Sequence, residues 1–243
     1  METTALPLKN RDVFAGIGQV ATEAISVLSD KAANEFEKGY VAACAMQSIK
    51  SKLSDEIMRP IMALQGSTLG FKTDRDRDGG YDIDTVRNCA VVAALTGLRF
   101  HGNEWNIIAG NCYVTVNGCD RLFNQLCEFP PRHEPGVVIF DEANRRATVK
   151  YRITYKLKGQ PEQTREQEIA TKLAYTKSGM LLTTDDAVLG KARRKLLWGL
   201  LRELRGIEIG DGAAEGERNI TPGRHGNAQP DTTVETLDVE VRP

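Results

Sequence analysis

Between Asp12 and about Lys52, apolar residues recur at helical spacing, through VFAGIGQVATEAISVLSD and then KAANEFEKGYVAACAMQSIKSKL. Val20, Ala24, Ile25 and Leu28 fall on one face, which predicts a core-facing stripe. A shorter helix is expected from Asp55 to Leu64, and Pro60 inside it predicts a break or a kink. The stretch GSTLGFKTDRDRDGGYD is rich in glycine and charge and reads as a flexible loop. A further helix is expected over Asp84 to Thr96, burying Val86, Cys89, Ala90, Ala93 and Ala94, with Gly97 as its left-handed cap.

After Leu98 the period shifts towards two. NEWNIIAGNCYVTV reads as two short strands turning at Ala109-Gly110-Asn111. Asn117 is placed to cap a short helix, NGCDRLFNQLCEF, which Pro130-Pro131 stops. GVVIFDEANRRATVKYRITYKL predicts a second hairpin, turning at Glu142-Ala143-Asn144. In its second strand Ala147, Val149, Tyr151, Ile153 and Tyr155 alternate with Arg146, Thr148, Lys150, Arg152, Thr154 and Lys156. REQEIATKLA returns as a third strand after a turn at Lys158 to Pro161, and a long helix closes the pattern from about Thr184 to Arg205. The fold class is α+β: a small, mainly antiparallel sheet, made of a hairpin plus a three-stranded region, flanked by helices.

Composition alters this picture mainly at the ends. Residues 1–10 look like a flexible N-terminus, and residues 11–205 form one domain, helical over 11–97 and sheet-and-helix over 98–205. Residues 206–243 lack periodicity and carry eight acidic against three basic residues, which predicts a disordered acidic tail. The whole chain has a net charge of −1, so a tail of −5 leaves a body of +4 and points to an anionic partner. No long apolar run predicts a membrane span, and no secretory pattern opens the chain. Five cysteines without metal-type spacing fit a reducing cytoplasm.

Candidate chemistry comes from three clusters. On the last helix Lys191, Lys195, Trp198, Arg202 and Arg205 share a sector roughly 80° wide, opposite Leu196, Leu200 and Leu204. Such cations can follow phosphates while the indole offers a stacking platform; a solvated helix face is the plainer reading. Arg193 points into the leucine sector, so it escapes the core, meets an acid or lines a groove. On the strand, Arg146, Lys150, Arg152 and Lys156 recur at about 6.6 Å, near the phosphate spacing of an extended single strand; an ordinary wet sheet face competes. Arg99, His101, Asn103, Trp105, Asn106, Asn111 and Tyr113 form a third, polar and aromatic group, against which stand turn chemistry and core packing. Asp74-Arg75-Asp76-Arg77-Asp78-Gly79 opens like a calcium loop, but Thr85 stands where the bidentate Glu belongs. A charged loop touching nucleic acid through its arginines is the better expectation there. Nucleotide-binding, serine-hydrolase and zinc signatures do not occur.

Three stretches, in order, resemble the RecT/Redβ-type phage single-strand annealing proteins, as a divergent member. They are Arg59-Pro60-Ile61-Met62 through Leu69-Gly70-Phe71-Lys72-Thr73-Asp74; Ala93 through Arg99 to Gly102-Asn103-Glu104-Trp105-Asn106-Ile107-Ile108-Ala109-Gly110; and Ala187 to Leu204. They span roughly residues 57–205, and Asn117-Gly118 stands where many members have Lys-Gly. The resemblance implies a non-enzymatic, ATP-independent protein that binds single-stranded DNA and anneals complements in recombination. It implies a homo-oligomeric ring or helical filament, with a basic groove shared between subunits. Carried over by position, the DNA-binding residues are Lys191, Arg194 and Lys195 from the late helix, and Arg99, Asn103, Asn111 and Tyr113 from the hairpin region. Lys150 and Arg152 follow from the basic strand, and Trp198 from the helix sector. No cofactor is expected, with Mg2+ at most a counterion of the DNA. The partners would be single-stranded DNA and its annealed duplex intermediate in the bacterial cytoplasm, with a phage exonuclease or host single-strand-binding protein as candidates for the tail. Two other classes stay open: a metal-dependent DNA-processing enzyme such as a nuclease, and a non-catalytic scaffold.

Overall fold

A computed structural model describes residues 10–176 and 178–205. The expected N-terminal extension, Asn10 apart, and the expected acidic tail lie outside them. The chain is α+β. Helices α1 (Arg11–Ser29), α2 (Glu35–Lys52), α3 (Asp55–Met62) and α4 (Ile83–Thr96) come first. Strands β1 (Trp105–Ile108) and β2 (Asn111–Val114) lead to α5 (Val116–Leu126). Strands β3 (Arg132–Pro135), β4 (Ile139–Asp141), β5 (Arg146–Lys156) and β6 (Glu162–Lys172) follow, and α6 (Asp185–Arg205) ends the order. No helix among the described residues is long and apolar enough to cross a membrane.

Local chemistry sets the helix ends. Asn34 caps α2 by accepting from the Glu37 amide at 2.8 Å, and Glu35 and Glu37 at its start with Lys50 and Lys52 at its end complement the helix dipole. Asp82 caps α4 by accepting from Asp84 and Thr85. Gly97 ends it at φ 80°, with its amide on the Ala94 carbonyl and the Leu98 amide on that of Ala93. That paired closure needs the left-handed residue the sequence supplies.

Four expectations are corrected. Pro60 lies within α3, whose last helical residue is Met62 rather than Leu64. Thr115, not Asn117, caps α5; its hydroxyl accepts from the Gly118 amide at 3.4 Å, while the Asn117 amide donates to the Gly102 carbonyl. The helix also stops at Leu126, because Cys127 turns extended to bridge Leu157. Finally, the larger sheet has four strands rather than three.

That sheet is built around β5. On one side β6 pairs along its whole length, from Arg146↔Lys172 to Lys156↔Glu162. On the other, β4 covers Arg146–Thr148 and β3 covers Tyr151–Thr154, end to end. Between Pro135↔Tyr151 and Ile139↔Thr148 the edge spends one residue more than β5, which is a bulge, and the Gly136 amide bridges it to the Lys150 carbonyl at 2.8 Å. The alternation along β5 is as expected, with Ala147, Val149, Tyr151, Ile153 and Tyr155 buried. α5 and α6 lie on that apolar face: Phe123 meets Tyr155 edge to face at 5.2 Å, and Arg165 of β6 pairs with Glu203 of α6. α6 also touches α1, so it joins the sheet to the helical half and is buried nearly all round.

One charged group lies in the interior. Glu104 is 5% exposed and accepts the Arg121 guanidinium from α5 at 2.5 and 2.7 Å, along with the Arg99 amide at 2.8 Å. Arg121 also donates to the Gly97 carbonyl. Removing one partner of such a pair strands a buried charge, so Arg121→Ala should lower unfolding free energy by about 3 kcal/mol in urea titration. A loss below about 1 kcal/mol would show the pair to be incidental.

Candidate nucleic-acid interface

The predicted residues separate into two surfaces. Tyr113 lies on β2 opposite Asn106, and Asn111 follows the same strand face two residues away. The Arg194 guanidinium of α6 lies 4.2 Å above the Tyr113 ring. Arg194 is 8% exposed, with Lys191 one turn earlier on the same helix. The late helix and the hairpin therefore meet at one seam, where a cation and an aromatic ring are in direct contact. Lys195 points to the other flank of α6 and donates to the Ala170 carbonyl of β6 at 3.0 Å.

Arg99 and Asn103 lie in the loop between α4 and β1. The Arg99 side chain is half exposed with its Nε 4.0 Å from Glu104, and its carbonyl accepts from the Trp105 indole at 3.0 Å. Asn103 adopts φ 52°, donates its amide to the Gly70 carbonyl, and keeps a buried Oδ1 that has no hydrogen-bond partner. Its first role is to shape the turn. Trp105 is fully buried and stacks on Phe71 at 4.1 Å, the core packing weighed against stacking on a base.

The strand cations are elsewhere, and this corrects the expectation of a common concave surface. Arg146, Lys150, Arg152 and Lys156 project from the face of the sheet opposite α6. Arg152 pairs with Glu166 at 2.7 Å and with Glu134 at 3.6 Å, Lys156 with Glu128 at 2.8 Å, and Arg146 with Asp141 at 3.4 Å. Lys150 lies in register with Glu168. Carboxylates on β3, β4 and β6 thus offset the charge that β5 shows when read alone. Hydrogen bonding to Glu166 raises the Arg152 pKa above its ordinary value.

Trp198 is likewise corrected: at 7% exposed it is a core residue, not a platform for bases. Arg205, from the same sector, donates to the Thr96 carbonyl at the end of α4, and burial pulls its pKa down. The sector therefore turns towards the helical half of the molecule. Arg193 resolves onto Asp120 of α5, at 2.8 and 3.0 Å. Around that pair stand Tyr151 and His133, whose ring is held neutral at a pKa of about 4 by burial and by the Arg193 charge.

The acidic loop is ordered rather than flexible. Asp74 accepts the Tyr81 hydroxyl at 2.9 Å and the Ala109 amide at 3.0 Å, while Asp76 accepts both the amide and hydroxyl of Thr73. Arg75 lies over the Tyr81 ring at 4.7 Å. These carboxylates fasten residues 73–81 to the turn of the hairpin, a role that the spacing of three aspartates does not reveal.

No family model, no curated protein and no solved structure matches the chain. Burial of both tryptophans has an optical consequence. Tryptophan emission should resist acrylamide and change little on adding oligonucleotide, and Trp198→Phe should leave oligonucleotide affinity within about twofold. Strong quenching by a bound strand would place Trp198 at the interface after all.

Proposed function

We propose that the chain binds single-stranded DNA and anneals complementary strands without ATP, as an oligomer of RecT/Redβ type, by binding rather than covalent catalysis. The observation that carries the reading is the seam of Arg194 on Tyr113, flanked by Lys191 and Asn111. Cations beside an aromatic face suit a phosphate backbone and a stacked base together. The order α4, Gly97-Leu98, hairpin, α5 beginning beside Gly118, sheet and Lys/Arg-rich α6 also supports it.

In this reading Lys191, Arg194 and Lys195 hold phosphates, Tyr113 and Asn111 meet the sugar and base, and sequence is left to pairing with the incoming strand. Arg99 and Asn103 shape the loop beside the hairpin. Lys150 and Arg152 face away from the seam, so they would enter the groove only from a neighbouring subunit. The proposal places the protein in the bacterial cytoplasm during recombination, with residues 206–243 as the segment for an exonuclease or single-strand-binding partner.

The test is annealing of fluorescent complementary oligonucleotides with and without ATP. Annealing well above the spontaneous rate and indifferent to ATP is expected. Lys191→Glu combined with Lys195→Glu should weaken affinity about tenfold and lower the salt slope by about 0.7 per lost phosphate contact. Arg152→Ala should change neither. Annealing no faster than without protein would sink the proposal; an unchanged slope in the helix double variant would move the interface off α6.

A further inference from the structure

Helix α2 carries two apolar faces. Val41, Ala45 and Ile49 turn inward, where α2 packs against α1 and α4. On the opposite side Phe36 is 85% and Tyr40 66% exposed, followed along the same face by Ala43 and by Cys44, also exposed. Phe36, Tyr40 and Cys44 are spaced four apart, so they form a continuous stripe. An amphipathic helix at a wet surface would carry polar residues there. Two of the most exposed large apolar side chains of the described residues stand together instead, which is the mark of an interaction surface.

The charge pattern selects the occupant. α2 begins with Glu35 and Glu37 and ends with Lys50 and Lys52. Turned end for end against itself, the helix sets acids against bases at both ends of the contact. Phe36 then lies against the aliphatic stem of Lys50 and beneath its ammonium. The two-fold axis falls at Ala43, midway between Phe36 and Lys50 and next to Cys44. Gly39 has open space where a Cβ would stand, so the backbones can approach closely near the axis.

We infer that the outer face of α2 binds a second copy of this chain as an antiparallel, two-fold helix pair. Such an isologous contact closes on itself and needs no nucleic acid. It therefore stands or falls apart from the annealing proposal.

The test uses the full chain without oligonucleotide. Sedimentation at micromolar concentration should show dimers or multiples of dimers, and a short bismaleimide should cross-link Cys44 to Cys44, the exposed cysteine of the five. Phe36→Glu with Tyr40→Glu should weaken self-association about tenfold or more while leaving the circular dichroism unchanged, since neither side chain is in the core. Lys50→Glu with Lys52→Glu should weaken it too, and adding Glu35→Lys with Glu37→Lys should restore it, which only the antiparallel arrangement permits. A monomeric wild type overturns the inference, as does an oligomer without the Cys44 cross-link or one indifferent to both sets of changes. Protection of Cys44 that disappears when residues 206–243 are removed overturns it in favour of the chain's own tail.

Discussion

The buried carboxylate of Glu104 is the constraint around which the two halves of the molecule are arranged. Its oxygens take the Arg121 guanidinium and the Arg99 amide, and Arg121 reaches the carbonyl that ends α4. The Glu104 carbonyl accepts from Thr115, the cap of α5, and Gly118 passes so close to it that a Cβ has no room. Five segments are thereby tied together: the end of α4, the loop, the start of β1, the cap of α5 and its body. An ion pair at this depth stabilises little over an apolar substitute, but with one partner missing it is costly. Its contribution is to specify one orientation of hairpin and α5, and hence where Tyr113 meets α6.

The periodic elements were legible from the sequence because one face of each is buried. The alternation of β5, the cap at Gly97 and the extent of α6 follow from residue types and spacing alone. What escaped is set by partners distant in sequence. β3 lies in a stretch bounded by Pro131 and Pro135 and became a strand because β5 offers it an edge. Thr115 displaced Asn117 as the cap because α5 begins directly from β2. A helical wheel assigned Trp198 to solvent, whereas α6 is enclosed by the sheet on one side and helices on the other. No window of local sequence contains that fact.

The electrostatics show the same limit. Read alone, β5 is a ladder of cations, and β6 is a ladder of carboxylates at Glu162, Glu166 and Glu168. Their register makes them one neutral surface, and it follows from burial of Ile153, Ile169 and their neighbours on the other face. The core pattern thus decides the charge pattern. Exposed pairs of this kind contribute little to stability. They do lower the field above the sheet, so an approaching polyanion is not drawn to that face.

With the sheet face offset, the seam between α6 and the hairpin stands out because it is built from both halves of the chain. Arg194 is contributed by the last helix and Tyr113 by the first hairpin, and Asp74 and Tyr81 hold the hairpin turn from a third segment. A ligand bridging Lys191 and Asn111 would therefore touch elements whose relative placement depends on Glu104. Loosening that carboxylate would disturb the seam without touching it, whereas changing Lys191 would alter charge and leave the scaffold intact. Stability and binding are consequently separable at this site, since the residues that position the surface are buried and several of those that would meet a ligand are not.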